Sequence, residues 1–272
     1  MQSRLWWVAV LLLACCSLAV GQIKGMVSLS PKLAAGGGAP SASSQAANCN
    51  RAVVDSLVFD RKSLGVENVV VFVANVRPDS LPATRLLLDI QACRYQPHVF
   101  AVFNGDSLII RNRDNGVRHA RGRLRSFRPG WNTSVTKDIL VNVSKTVFNI
   151  AMPGAETSGE AVLEEAGLIE IVSEGGVKDM RGYLWVLPHR FFAVSNPKGE
   201  FQISGLPPSD YDVILWHETL GIQRQLVKVG ASGETRMDFV WGGDAITESD
   251  STATIPESQD QEQSAAKQGE SR

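Results

Sequence analysis

The sequence predicts an all-β protein of β-sandwich architecture. Three observations carry that prediction: many short runs rich in Val, Ile, Phe and Tyr, turn residues between them at short intervals, and a weak helix signal throughout. Gln22–Leu29 alternates and opens the series, followed by a Gly-, Ala-, Ser- and Pro-rich excursion, Pro31 to Ala47, read as a loop. Val69–Val73 is continuously apolar and suits a strand buried on both faces. Val99–Phe103 and Ser107–Arg111 flank Asn104-Gly105-Asp106, which predicts a hairpin. Val141–Val147, Phe148–Ala151, Leu168–Val172, Gly182–Leu187, Glu200–Ile203, Tyr211–Trp216, Gln225–Val229 and Thr235–Trp241 complete the strands. Glu156–Ala166 is the best helix candidate, with an acidic loop as its alternative. From Thr247 the apolar residues vanish, which predicts a disordered acidic tail.

The chain has 272 residues, and 27 basic side chains stand against 28 acidic ones, a net charge of −1. That balance argues against a general nucleic-acid binder. Arg4, the apolar run Leu5–Val20 and the small-x-small site Ala19-Val20-Gly21 compose a secretory signal peptide over residues 1–21. An uncleaved anchor and lipidation at Cys15 are the alternatives, and no later segment is apolar enough to span a bilayer. The expected location is periplasmic or secreted. After cleavage two cysteines remain, Cys49 and Cys93, and two thiols in an exported protein most often pair. Two buried free thiols are the alternative.

In Asn196-Pro197-Lys198-Gly199-Glu200-Phe201-Gln202-Ile203, Gly199 makes a turn, and Phe201 and Ile203 then share one face of a strand. Pro207-Pro208 stiffens the next connection, and Tyr211 and Val213 repeat the period of two. This pattern resembles the D-G-x-F-x-I-x-x-L-P-P-G-x-Y-x-V signature of carboxypeptidase regulatory-like domains, which are small non-catalytic transthyretin-like sandwiches. Pro197 and Lys198 depart from the usual Asp, and Ser209 stands where Gly is usual.

Residues 95–119 and 168–186 resemble the two metal-bearing stretches of plastocyanin-like cupredoxins. In that family a His follows an N-x-D turn, and a later loop carries Cys-x-x-His-x-x-Met. Asn112-x-Asp114, His119 and Met180 match, whereas the Cys position holds Glu174 and the second His position Val177. Residues 22–241 resemble secreted bacterial proteins, some labelled methylamine utilization protein, that combine both kinds of domain. The landmarks are Cys49, Val69–Val73, Cys93, Pro97-His98-Val99, Phe148-Asn149, Met180-Arg181-Gly182, Phe192-Ala193-Val194 and Trp216-His217-Glu218. The resemblance implies a discontinuous regulatory-like sandwich over 22–84 and 190–241, a cupredoxin-like Greek-key sandwich over 85–189, and a tail over 242–272. Tandem domains with a boundary near Leu187 are the alternative.

A type 1 copper site needs two imidazoles, a thiolate and a weak axial thioether. No cysteine follows Cys93, so no copper or other cofactor is expected, and His119, Met180 and Glu174 are vestigial candidates. That trio is a poor set for zinc. His98, His189 and His217 sit in other motifs, and His217-Glu218 reads as a hydrogen-bonding pair. No nucleophile elbow or His-Glu-x-x-His occurs, and Glu164-Glu165 reads as a solvated face, so no enzyme activity is expected. Arg118, Arg121, Arg123, Arg125 and Arg128 crowd the segment after Arg111 and Arg113, with Leu124 and Phe127 interleaved. They predict an anion-binding loop for an acidic glycan, an anionic lipid or an acidic extracytoplasmic protein, with a merely solvated loop as the alternative. The rival functions are a copper electron carrier with an atypical site and a carbohydrate-binding accessory that uses Trp131, Trp216 or Trp241.

Overall fold

The computed structural model describes residues 20–36, 57–74, 76–77, 80–127, 140–173, 180–231 and 233–242. All of them fall within one compact unit, Met1–Gly242, and the tail beyond it lies outside the described residues. Strands dominate, as expected. In chain order they are β1 (Gly21–Leu29), β2 (Val70–Val73), β3 (Arg85–Gln91), β4 (Arg94–Gln96), β5 (Val99–Phe103), β6 (Ser107–Asn112), β7 (Arg118–Phe127), β8 (Leu140–Met152) and β9 (Ser158–Val162). There follow β10 (Gly167–Val172), β11 (Arg181–Leu187), β12 (Phe192–Val194), β13 (Glu200–Leu206), β14 (Ser209–His217), β15 (Gly221–Val229), β16 (Gly233–Arg236) and β17 (Phe239–Trp241). The single helix among the described residues, α1, covers Pro31–Gly36.

The strands form four sheets. The first has the order β13-β1-β16, with β17 also on β1; the second is β12-β2-β14-β15. The third is β5-β11-β10-β7-β8, and the fourth is β4-β3-β6-β9. Two sheets thus draw on strands from 21–73 and 192–241, and the other two on strands from 85–187. Three apolar clusters join the layers. Ile23, Val27, Val71, Val73, Ile203, Val213 and Leu215 fill the space between the first and second sheets. Leu88, Ile110, Leu124, Ile169, Ile171, Leu184 and Val186 fill the space between the third and fourth. A seam of Val70, Phe72, Val99, Leu168, Trp185, Leu187, Ile214 and Trp216 joins the second to the third.

The inner sheets are therefore buried on both faces, and strand alternation divides their residues between two cores. In β2, Val71 and Val73 face one core while Val70 and Phe72 face the seam, so all four are buried. In β11, Leu184 and Val186 take one side, and Trp185 and Leu187 the other. Trp185 lies at the middle of the seam, its ring centroid 4.9 Å from Phe72 and 5.9 Å from Trp216.

Several local readings need correction. The acidic stretch expected as a helix forms β9, an edge strand paired with β6, because Glu160 alternates outward and Gly159 admits the Ile150 side chain. The excursion after β1 starts as α1 rather than as a loop. The two runs between residues 141 and 151 are one strand, β8. Asn104-Gly105-Asp106 does not close a hairpin, because β5 belongs to the third sheet and β6 to the fourth. The turn is an arch, and Asp106 holds it. Its buried carboxylate accepts from the Thr84 N–H (2.7 Å), the Phe103 N–H (2.9 Å) and Arg190 (3.2 Å). The Gly199 turn forms as read, with φ +80° and the Gly199 N–H donating to the Asn196 carbonyl at 2.8 Å.

Trp185→Ala should empty the seam and destabilise the protein by about 3–5 kcal/mol, the usual cost of a large cavity in a core. Urea unfolding measures it; an unchanged midpoint would show that the seam contributes nothing.

Candidate functional site

The arginine segment is a strand. Ala120 and Leu124 of β7 are buried in the core toward the fourth sheet, and Gly122 is buried because a Cβ there would lie 2.4 Å from the Phe148 ring. Alternation then puts His119, Arg121, Arg123 and Arg125 on the opposite face. Register builds that face row by row. Arg125 pairs with Leu168 and Leu168 with Trp185; Arg123 pairs with Glu170 and Glu170 with Tyr183; Arg121 pairs with Val172 and Val172 with Arg181. The first row dives into the seam, and the other two emerge beside it.

Glu170 organises this face. It is 7% exposed and forms ion pairs with Arg181 and, at 3.6 Å, with Arg125. Arg121 places both Nε and Nη2 3.0 Å from Thr146 Oγ1. Among the described residues, Arg121, Arg123, Arg125 and Arg181 thus share a face with Glu170. The expectation of an anion-binding loop is corrected in two respects. The segment is a strand, and Arg118 is not on this face. Arg118 donates to Asp114 Oδ2 at 2.9 Å with its side chain 11% exposed. The preceding Arg111 and Arg113 pair with Asp89 and Glu156. Arg128 lies outside the described residues.

The vestigial ligand positions lie at one end of the third sheet, where β7 and β11 begin and β10 ends. His119 is half-buried, and its Nδ1 is buried without a hydrogen-bond partner. Met180 is 3% exposed and belongs to the core. Glu174 and Val177 lie outside the described residues. The N-x-D turn is a structural knot. Asn112 donates to the Gly116 and Gly154 carbonyls, and Asp114 accepts from the Ala92 and Cys93 N–H groups at 2.8 and 3.1 Å. Tyr95 donates to the His119 carbonyl at 3.2 Å, and burial pushes its phenol pKa upward, so the hydroxyl keeps its proton. Cys93 is buried, with Arg118 Nη2 3.6 Å from its Sγ; Cys49 lies outside the described residues. Among the described residues, no three His, Cys, Asp or Glu side chains group as metal ligands.

At the same end of the third sheet, before β5, His98 Nε2 lies 2.9 Å from Glu218 Oε1. The pair ties the start of β5 to the end of β14. Glu218 therefore bonds His98 rather than its neighbour His217, whose Nδ1 accepts the Thr219 N–H. Burial pushes the His217 imidazole below its ordinary pKa, consistent with a neutral acceptor. For Glu218, burial raises the pKa, but the hydrogen bond from His98, with the charge beside it, outweighs burial and holds the carboxyl below its usual range. Its side chain is 7% exposed, and Oε2 receives no hydrogen bond from the described residues. Sequence reasoning singled out neither Glu170 nor Tyr183. The signal for Glu170 is a lone carboxylate inside the apolar run Leu168-Ile169-Glu170-Ile171-Val172. Trp216 and Trp241 are each 4% exposed and offer no aromatic platform; Trp131 lies outside the described residues.

No protein-family model and no curated protein matches this chain. Among solved structures it is similar to amicyanin. A reduced Cu(I) form of an amicyanin variant at pH 4 is 16% identical over 43% of this chain and 98% of the amicyanin chain, with a TM-score of 0.28. An oxidized variant is 16% identical over 44% and 100%, with a TM-score of 0.27. The all-β, layered-sandwich class of the chain rests on the strand pairing described above.

The Glu218 shift has a defined sign. A carboxyl whose folded pKa lies below its unfolded value of about 4.5 adds stability above that value and loses it as pH falls through the folded pKa. Glu218→Gln should flatten the acid limb of the stability profile below about pH 5. His98→Ala should cost on the order of 1–3 kcal/mol at neutral pH by leaving the carboxylate unbonded. Identical acid limbs for wild type and Glu218→Gln would remove Glu218 from the account.

Proposed function

We propose that this is an extracytoplasmic, non-catalytic binding protein whose docking surface is the arginine face of the third sheet. The observation that carries the reading is the placement of Arg121, Arg123, Arg125 and Arg181 on one face with Glu170. Successive arginines on β7 stand about 7 Å apart, twice the rise per residue of a strand. A row of cations with that repeat on a rigid sheet suits a linear polyanion, and an acidic glycan is the partner that fits it. The export reading rests on the composition of residues 1–21.

The same reading takes 85–189 as a cupredoxin-like sandwich inserted into a carboxypeptidase regulatory-like one, 22–84 with 190–241. In support, β1 and β2 pair with strands from Phe192 onward. It also takes the inserted sandwich as lacking type 1 copper, because no cysteine follows Cys93 to supply a thiolate. It also takes Cys49 and Cys93 as a disulfide pair, the two cysteines left after signal cleavage. The second reading, an atypical copper carrier, draws on the unpartnered Nδ1 of His119.

Binding to an acidic glycan array should fall as salt rises, since the Debye length drops from about 10 Å at 0.1 M to about 3 Å at 1 M. The triple change Arg121→Gln, Arg123→Gln and Arg125→Gln should abolish it and leave the fold intact. Equal binding by wild type and triple variant reduces the face to a solvated surface. Preference for anionic vesicles or acidic proteins reassigns the partner. Cu(II) added to the mature protein should give no intense band near roughly 600 nm, the region expected for copper–thiolate charge transfer; a blue protein establishes the copper reading instead. Peptide mapping without reductant should recover a Cys49–Cys93 linked peptide, and two alkylatable thiols would exclude it.

A further inference from the structure

Beside the His98–Glu218 pair, where the second sheet stops covering the third, a pocket of about 540 Å³ opens. That volume is in the range of small-molecule sites. Arg125, Glu170, Arg181 and Tyr183 line it from the third sheet, and Trp216 and Glu218 from the second.

Its charges are polarised. At one end Arg125 and Arg181 both face Glu170. At the other end stands Glu218, its Oε1 on His98 and its buried Oε2 without a hydrogen bond. The strand order β10-β11-β5 fixes the separation. Glu170 is on β10, Tyr183 is its neighbour on β11, and Val99, which follows His98, pairs with Tyr183 from β5. Two strand spacings, roughly 10 Å, therefore separate the backbone of Glu170 from that of Val99, beside His98. Tyr183 lies between them, its ring 5.7 Å from the His98 ring and 5.4 Å from the Trp216 ring.

We propose that this pocket binds a small zwitterion, with its carboxylate at the Arg125–Arg181 end and its ammonium at the Glu218 end. Guanidiniums recognise carboxylates through charge-assisted hydrogen bonds. An ammonium at the pocket wall is drawn by the charge of the Glu218 carboxylate, and it gains a further attraction from the face of an aromatic ring such as Tyr183. Ends carried by strands two places apart in the sheet favour an ω-amino acid or a dipeptide over a simple α-amino acid. The assignment goes beyond the glycan reading and does not need it, because Arg121 and Arg123 do not line the pocket.

The test is calorimetric titration of the full mature protein with 6-aminohexanoate, hexanoate and hexylamine. The zwitterion should bind about tenfold or more tightly than either singly charged analogue, the factor that about 1.4 kcal/mol from a second charged contact supplies. Arg125→Gln should cost the zwitterion and hexanoate affinity but spare hexylamine. Glu218→Gln should do the reverse, and Arg125, being exposed, leaves one variant whose fold is secure. Arg121→Gln with Arg123→Gln should leave zwitterion binding unchanged even where glycan binding is lost. The proposal is overturned if the three compounds bind alike or none binds. It is equally overturned if hexanoate matches the zwitterion, or if neither single variant separates the analogues.

Discussion

The rest of the structure depends on the seam between the second and third sheets. Each of these sheets already has one face committed to its own sandwich, so the seam is built entirely from the alternate residues of strands that are buried twice. Phe72, Trp185 and Trp216 supply most of its area, and aromatic side chains of that size bury about 150–250 Å² each. Their centroid separations of 4.9 and 5.9 Å, at interplanar angles of 42° and 72°, are tilted and edge-on contacts that fix relative orientation as well as distance. A seam of this kind holds the two inner sheets as a rigid pair. The arginine rows and the His98–Glu218 pair, which border the same pocket beside the seam, are consequently positioned by packing rather than by loops.

Double burial also explains what could and could not be read from the sequence. Val69–Val73 was legible as a two-faced strand because a run without polar residues has no solvent side to declare. Phe201, Ile203, Tyr211 and Val213 were legible because one-faced strands alternate openly. The arch at Asn104-Gly105-Asp106 was not. A hairpin and an arch share turn residues, and only the partners of β5 and β6, far away in sequence, separate them. The helix expected near Glu160 failed for a related reason. Glu160 on a polar edge strand and Glu160 on a helix surface look alike in sequence, and pairing with β6 decided the matter.

The arginine segment was legible in composition and not in form. Its charges stood out, but they read as a loop because arginine is uncommon at such density in a strand. The deciding residues were the quiet ones. Ala120, Gly122 and Leu124 mark an inward face narrow enough to pack on Phe148, and they impose a period of two on the arginines between them. That period separates Arg118 from Arg121, Arg123 and Arg125. Proximity in sequence therefore grouped residues that the sheet assigns to different surroundings, one a structural ion pair and three an exposed row.

Two buried carboxylates show the difference between holding a fold and preparing a site. Asp106 is 1% exposed and is surrounded by donors that cannot leave, the N–H groups of Thr84 and Phe103 with Arg190 behind them. Burial pushes its pKa up, yet those donors together hold the carboxyl below its usual range, as expected of a group whose charge is fully matched by the fold. Glu170 is nearly as buried, but its partners are the side chains of Arg125 and Arg181, each 45% exposed. Its charge is matched by side chains at the surface rather than by the backbone, and both guanidiniums line a pocket. An anion that enters the pocket meets donors the fold has already gathered at one carboxylate.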